Sequence, residues 1–463
     1  MYAEEYNGTT TEANFGWDTD SDDLNVFYDT GNMCFLLVCA ALVLLMIPGV
    51  GLFYSGLARR KSALELLLLS MLSCAVVSFQ WFFWGYSLTF SRTGNSFLGD
   101  LSMIGLQKTM AQPNGSSALP DILFCLYQGM FAAITPALAI GAVADRGRIL
   151  PALVFFFIWT TVVYDPIAYW TWNANGWLYK LGSLDFAGGG PVHISSGSAA
   201  LAYSLMLGKR TGYGNNAGMP WRPHNVTNVV IGTVFLWVGW FGFNGGSALA
   251  MNIRAIVACF NTNLAASMGG LAWVLLDLRL EGKWSTIGFC SGAISGLVVI
   301  TPGAGFVTPW GALIMGVVGG IVCNFATKLK FLIGIDDALD IFAVHGIGGM
   351  VGNICTGVFA ASWIAGLDGT SPDPLGWIEH HWVQMGYQFA GTCAAFAWSF
   401  GLTCIILFLI NLVPGLSLRA SPDDEELGMD DVQLGEFAYD YVEITRHLTD
   451  TASSTNGVET KSE

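Results

Sequence analysis

Two histidines are the first candidates for chemistry in this chain. Imidazole titrates near neutrality and can hold or pass a proton. His193 and His345 both fall in apolar stretches, where a polar side chain is costly and marks a functional candidate by default. The other four differ: His224 sits in a loop, His380 and His381 in the last exterior loop, and His447 in the tail, as solvated surface groups. Asp185, His193 and Gly197 repeat the spacing of Asp337, His345 and Gly349. The copies lie in the fifth and tenth apolar stretches. That odd step would run them in opposite directions across a bilayer, as in transporters built from inverted repeats around a midplane site. Spacing alone leaves two unrelated structural histidines as the alternative. Aromatic residues cluster with the pair: Phe131, Trp172, and the run from Trp240 through Phe243 to Ser247. Aromatic faces attract cations at roughly 0.5–2 kcal/mol each, although Trp172 alone also fits a membrane-interface anchor.

The elements that must position these groups are membrane spans. Of 463 residues, 53% are hydrophobic and 11% charged, with a mean hydropathy of +0.54. A soluble chain would carry about 25% charged residues. About eleven apolar stretches of spanning length are expected, near 33–54, 62–90, 120–143, 149–172, 193–208, 227–251, 257–278, 285–301, 310–327, 340–361 and 382–413. The fifth and eighth are short. The expectation is an all-α polytopic membrane protein.

The net charge of −15 is unevenly placed. Residues 1–32 carry −8 and residues 414–463 carry −9, so the body is near neutral at +2. This divides the chain into an acidic exterior tail (1–32), a transmembrane domain (33–413) and a cytoplasmic tail (414–463). Arg59, Arg60, Lys61, Arg146, Arg148, Lys209 and Arg210 fall in alternate connections, which the positive-inside rule makes cytoplasmic. The N-terminus is then outside and the C-terminus inside, with the first span acting as export signal in place of a cleaved one. Asn7-Gly8-Thr9 fits a glycosylation sequon on the exterior tail.

No phosphate-binding loop, HExxH or GxSxG occurs. An enzyme is not expected, nor a metal, cofactor or nucleic-acid partner. The ten cysteines lie in or beside apolar spans without metal-ligand spacing and read as small apolar packers. The 57 glycines cluster inside spans, consistent with close helix packing. A channel, transporter or receptor remains.

At these residues the sequence resembles the Amt/Mep/Rh ammonium transporters, specifically the fungal Mep-type permeases. The segments that carry the resemblance include MIPGVGLFYSGLARRKSAL (46–64), YQGMFAAITPAL (127–138), LDFAGGGPVHISSG (184–197), GWFGFNGGSA (239–248), DDALDIFAVHGIGG (336–349) and EELGMDDVQLGEFAYDY (425–441). The resemblance implies eleven spans as an inverted five-helix repeat plus a final long helix, in a plasma-membrane homotrimer with one pore per subunit. It implies that Trp172, Ser247 and Phe131 recruit ammonium outside, and that Phe131 and Phe243 close the pore mouth. His193 and His345 would line the pore, and Asp185 would cap local backbone and bias the site towards cations without being a direct ligand. The implied function is ammonium uptake: the cation is recruited, deprotonated and conducted as ammonia, with separate proton transfer. The alternatives are an ammonium sensor with little flux and an Rh-like electroneutral ammonia channel. Retention of His193 resembles the subgroup linked to high affinity and nutrient sensing. Asp165 departs from the family pattern, which has an uncharged residue there; the options are pairing with a neighbour, protonation, tuning of cation capture, or facing headgroup water, of which the last is expected. The tail from Asp423 to Asp440 would dock on the inner face, with Arg59, Arg60 and Arg146 as partners. Thr449, Thr451, Ser453 and Ser454 are candidate sites for a kinase.

Overall fold

The computed structural model of the chain describes residues 28–110, 112–213 and 223–439. Asn7 and the candidate kinase sites Thr449, Thr451, Ser453 and Ser454 lie outside the described residues. Nine helices there are long and apolar enough to cross a membrane, from Thr30–Leu57 to Gln384–Leu412. The π turn Gly189–Ile194 with helix Ser195–Leu207 falls where the fifth span is expected, and the shorter helix Thr286–Ile300 where the eighth is. The one departure from an all-helical chain among the described residues is a small hairpin, Pro113–Asn114 against Ser116–Pro120.

Helix starts are marked by short polar side chains that satisfy free backbone amides. Asp29 caps Thr30–Leu57, Asn225 caps Val226–Gly246, Ser285 caps Thr286–Ile300, and Thr308 caps Pro309–Ala326. Side chains such as Phe79, Phe260, Ile405 and Phe408 point outward, as lipid requires. Between helices the contact is backbone to backbone. A Cβ at Gly232 would lie 2.5 Å from the Phe53 amide, and one at Gly269 would lie 2.4 Å from the Gly292 carbonyl. Without water in the bilayer core, such close van der Waals packing is a main source of helix association. All ten cysteines are free.

Four π-helical turns interrupt the helices: Trp81–Gly85, Thr160–Tyr164, Gly189–Ile194 and Phe342–Ile347. They correct the expectation for Asp165, which is fully buried and accepts a 2.7 Å hydrogen bond from Gln80 Nε2. Gln80 and Asp165 each adjoin a π turn. The extra residue in such a turn rotates the rest of the helix by roughly 100° about its axis, so an α-helical count sends Asp165 to the wrong face. Asp165→Asn keeps the acceptor for Gln80 Nε2 and removes a buried carboxylate. We expect its melting temperature in detergent to be unchanged or raised. Asp165→Leu is expected to cost roughly 1–3 kcal/mol through the lost hydrogen bond.

The tail packs across the loops that carry Arg59, Arg146 and Arg210. Arg59 Nη2 donates to the Glu425 carbonyl (3.1 Å), and Asp430 accepts from the Leu64 and Glu65 amides at the start of helix Ala63–Gln80. Arg146 differs from the expectation. Its buried guanidinium donates to the Asp336 and Ala144 carbonyls, and only its backbone carbonyl meets the tail, accepting from the Ala420 amide.

Candidate functional site

The two halves of the Asp-x7-His-x3-Gly pattern do equivalent structural work. Asp185 Oδ1 accepts from the Gly188 and Gly189 amides and Oδ2 from the Gly190 amide, each at 2.7 Å. Asp337 Oδ2 accepts from the Phe342 amide at 2.9 Å. Each acid therefore holds the start of the π turn that carries its histidine. Widened turns of this kind recur at functional sites because they re-aim a side chain. The glycines are reciprocal. A Cβ on Gly197 would meet the backbone of Gly346, next to His345, and one on Gly349 would meet that of Ile194, next to His193. Burial pushes the Asp185 carboxyl up to about 6, against the lowering effect of its three amides.

Those turns bring the rings together inside the molecule. His193 Nδ1 and His345 Nδ1 are 3.3 Å apart, so one donates and the other accepts. His193 stacks on Trp240 at 5.4 Å, and Trp240 is pinned by its Nε1 donating to Thr301 Oγ1. His193 Nε2 is buried without a protein partner.

On one side of the histidines, Phe131 and Phe243 stack at 4.1 Å and are each 1% exposed, so they shut the path. Beyond them, on the side away from the tail, opens a chamber of about 500 Å³, lined by Trp172, Ser247, Asp185 and Gln128. Trp172 Nε1 donates to the Asp185 carbonyl, which fixes its ring, and Phe131 meets that ring edge-on at 6.1 Å. Ser247 Oγ lies 2.9 Å from the Phe243 carbonyl and 3.3 Å from the Tyr127 hydroxyl. On the other side, a cavity of about 320 Å³ is lined by both histidines, Trp240, Val344 and Leu339 and reaches Asp340 and Lys330 near the tail-bearing face.

The structure thus brings Trp172, Ser247, Phe131, Phe243, His193 and His345 onto one path, with Asp185 in the wall of the chamber and its oxygens turned to backbone amides. Sequence reading missed Tyr127 and Gln128. Both lie one turn before Phe131, at helical spacings that share its face, which was the available signal. Among the described residues, no group of three or more His, Cys, Asp and Glu could hold a metal ion.

The family model described as "Ammonium Transporter Family" matches residues 34–439. Ammonium transporter 1 of Schizosaccharomyces pombe is 59% identical over 432 residues, covering 93% of this chain and 86% of that protein. Ammonium transporter MEP2 of Saccharomyces cerevisiae is 52% identical, covering 94% and 88%. The crystal structure of Saccharomyces cerevisiae Mep2 superposes with a TM-score of 0.85 at 51% identity, covering 91% of this chain and 96% of that one.

Proposed function

The chain belongs to the Ammonium Transporter Family, and from that premise we propose that it takes up ammonium across the plasma membrane by recruiting the cation, deprotonating it and passing ammonia along a twin-histidine pore. The observation that carries this reading is the single path from outer chamber through the Phe131–Phe243 stack to the histidines and inner cavity.

Ammonium is a compact hydrated cation, and moving it as an ion through a dry passage costs many kcal/mol. The Trp172 face and Ser247 Oγ replace part of its water. Asp185 contributes charge from behind, since its oxygens are already held by amides. The stacked phenylalanines exclude water, so the species that passes is neutral ammonia. The proton moves separately by way of the histidine pair, which makes net uptake electrogenic. Potassium has a similar size but no proton to lose, so selectivity rests on chemistry.

In the membrane the protein forms a homotrimer with one pore per copy, its acidic N-terminus outside and glycosylated at Asn7. Its tail, residues 414–463, lies inside as a regulatory segment open to a kinase.

The Trp172 face at about 0.5–2 kcal/mol and the Ser247 hydroxyl at about 0.5–1.5 kcal/mol fix the size of the test. Trp172→Leu combined with Ser247→Ala is expected to raise the KM for ammonium uptake roughly tenfold or more with little change in maximal rate. An unchanged KM in uptake assays on transporter-deficient cells would remove the outer chamber from the path.

A further inference from the structure

We propose that Arg254 is a positioning residue of the outer chamber and that its ion pair with Asp368 sets how strongly the chamber takes a cation, a reading that rests on the ammonium path proposed above. Arg254 is the second residue of helix Ile253–Glu281. Its guanidinium lies over two rings at once, 4.8 Å from Phe306 and 5.0 Å from Phe186. Those rings meet edge to face at 5.7 Å, and both line the chamber beside Trp172 and Ser247. Arg254 Nε donates to the Gly305 carbonyl at 2.9 Å, and Nη1 to Asp368 Oδ2 at 2.8 Å. Phe186 directly follows Asp185, and its amide donates to the Pro302 carbonyl. One side chain therefore ties the start of a helix to three loops, including the loop whose carboxylate holds the first histidine's turn.

The charge matters as much as the geometry. A chamber that concentrates a cation has a permanent cation behind its wall, since a guanidinium does not lose its proton in proteins. Its field has to be cancelled nearby. Burial draws the Asp368 carboxyl upward, but the Thr370 hydroxyl and amide and the Arg254 guanidinium outweigh it and hold the group below the usual carboxylate range. Asp368 is thus charged at neutral pH and balances Arg254.

The test is ammonium uptake kinetics at two ionic strengths. Asp368→Asn keeps a hydrogen-bond acceptor and strips the charge. It is expected to raise KM roughly three- to tenfold at unchanged maximal rate, an effect that shrinks with added salt. Arg254→Gln leaves the acid uncompensated and is expected to lower KM. The two changes together should return KM to within about twofold of the parent. A purely structural pair would lower maximal rate in both single variants without opposite signs. An unchanged KM in Asp368→Asn, or a raised KM in both single variants, overturns the inference. If Arg254→Gln fails to reach the membrane, Asp368→Asn and its salt dependence decide alone. If Trp172→Leu with Ser247→Ala raises KM while Asp368→Asn does not, only this inference fails; if neither does, the chamber reading falls with it.

Discussion

Replacing His193 and His345 together by alanine is expected to turn an ammonium-selective pathway into one that also passes potassium. The paired rings are buried, at 1% and 4% exposure, and bridge the closed phenylalanine stack to the inner cavity. Removing two imidazoles opens space for several waters at about 30 Å³ each, next to a cavity already about 320 Å³ in volume. A hydrated passage lowers the cost of carrying a charge, and the need to deprotonate disappears with the relay. Reconstituted parent protein should show ammonium-evoked current and none with potassium. The double variant should show potassium current, with selectivity for ammonium reduced roughly tenfold or more, which is about 1.4 kcal/mol of lost discrimination. His345→Ala alone, which leaves His193 without its ring partner, should lose most ammonium current. A double variant that carries ammonium as well as the parent and still excludes potassium would remove the histidines from the selectivity step.

The largest expected effect on stability lies at the inner face, at Arg210. Its guanidinium reaches Asp145 Oδ2 at 2.7 Å and both oxygens of Asp336 at 2.8 and 2.9 Å, with its side chain 8% exposed. Arg59 reaches the same Asp145, and the next residue after Arg210, Thr211, donates its amide to Glu425 of the tail. Arg210→Met leaves two buried carboxylates with much less compensation. Removing one partner of a buried ion pair costs roughly 3–5 kcal/mol, a large share of a typical folding free energy of about 5–15 kcal/mol. We expect a strong fall in melting temperature and in the amount of protein recovered from membranes. Arg210→Lys should not rescue it, because a point charge cannot span both acids as the planar fork does. Burial alone would raise Asp145 and Asp336, but the arginines, Arg210 foremost, outweigh it and hold both carboxyls below the usual range. Their contribution is therefore fully present above the ordinary carboxylate pKa near 4. It is lost as pH falls through the lowered folded values. Melting temperature measured across pH should show this cluster contributing nothing to any change between pH 6 and 8 and a loss only in the acid range.

Much of the fold could be read from residue order. Runs of apolar residues announce spans, and of the two the sequence marks as short, the structure builds Thr286–Ile300 as a short helix, whereas the other starts earlier than its apolar run, at Gly189, because a π turn precedes helix Ser195–Leu207. The family was legible from motifs such as LDFAGGGPVHISSG. The π turns were not legible, because hydropathy counts residues and a π turn changes only how many fit in one turn. Asp165 stands near the end of a span, which suggests headgroup water, but the fold sets it against Gln80. Spacing did pick out the Asp185–His193–Gly197 and Asp337–His345–Gly349 copies, which the structure places in reciprocal contact. The supporting residues were less visible. Tyr127, which orients Ser247, shares a helix face with Phe131. Arg254 and the rings of Phe186 and Phe306 are distant in the chain, and only the folded loops bring them together. Arg146 fits a tail partner by charge, but its Nη1 and Nη2 donate to the Ala144 and Asp336 carbonyls instead.

The central claim is that ammonium is split into ammonia and a proton that travel by separate routes. Current recorded from proteoliposomes containing the purified protein, with ammonium uptake measured in parallel from pH 5 to 8, tests it most directly. A positive inward charge movement should accompany uptake throughout that range, with no current in potassium, and that distinction should be lost when both histidines are alanine. Uptake of ammonium without any accompanying current would contradict it.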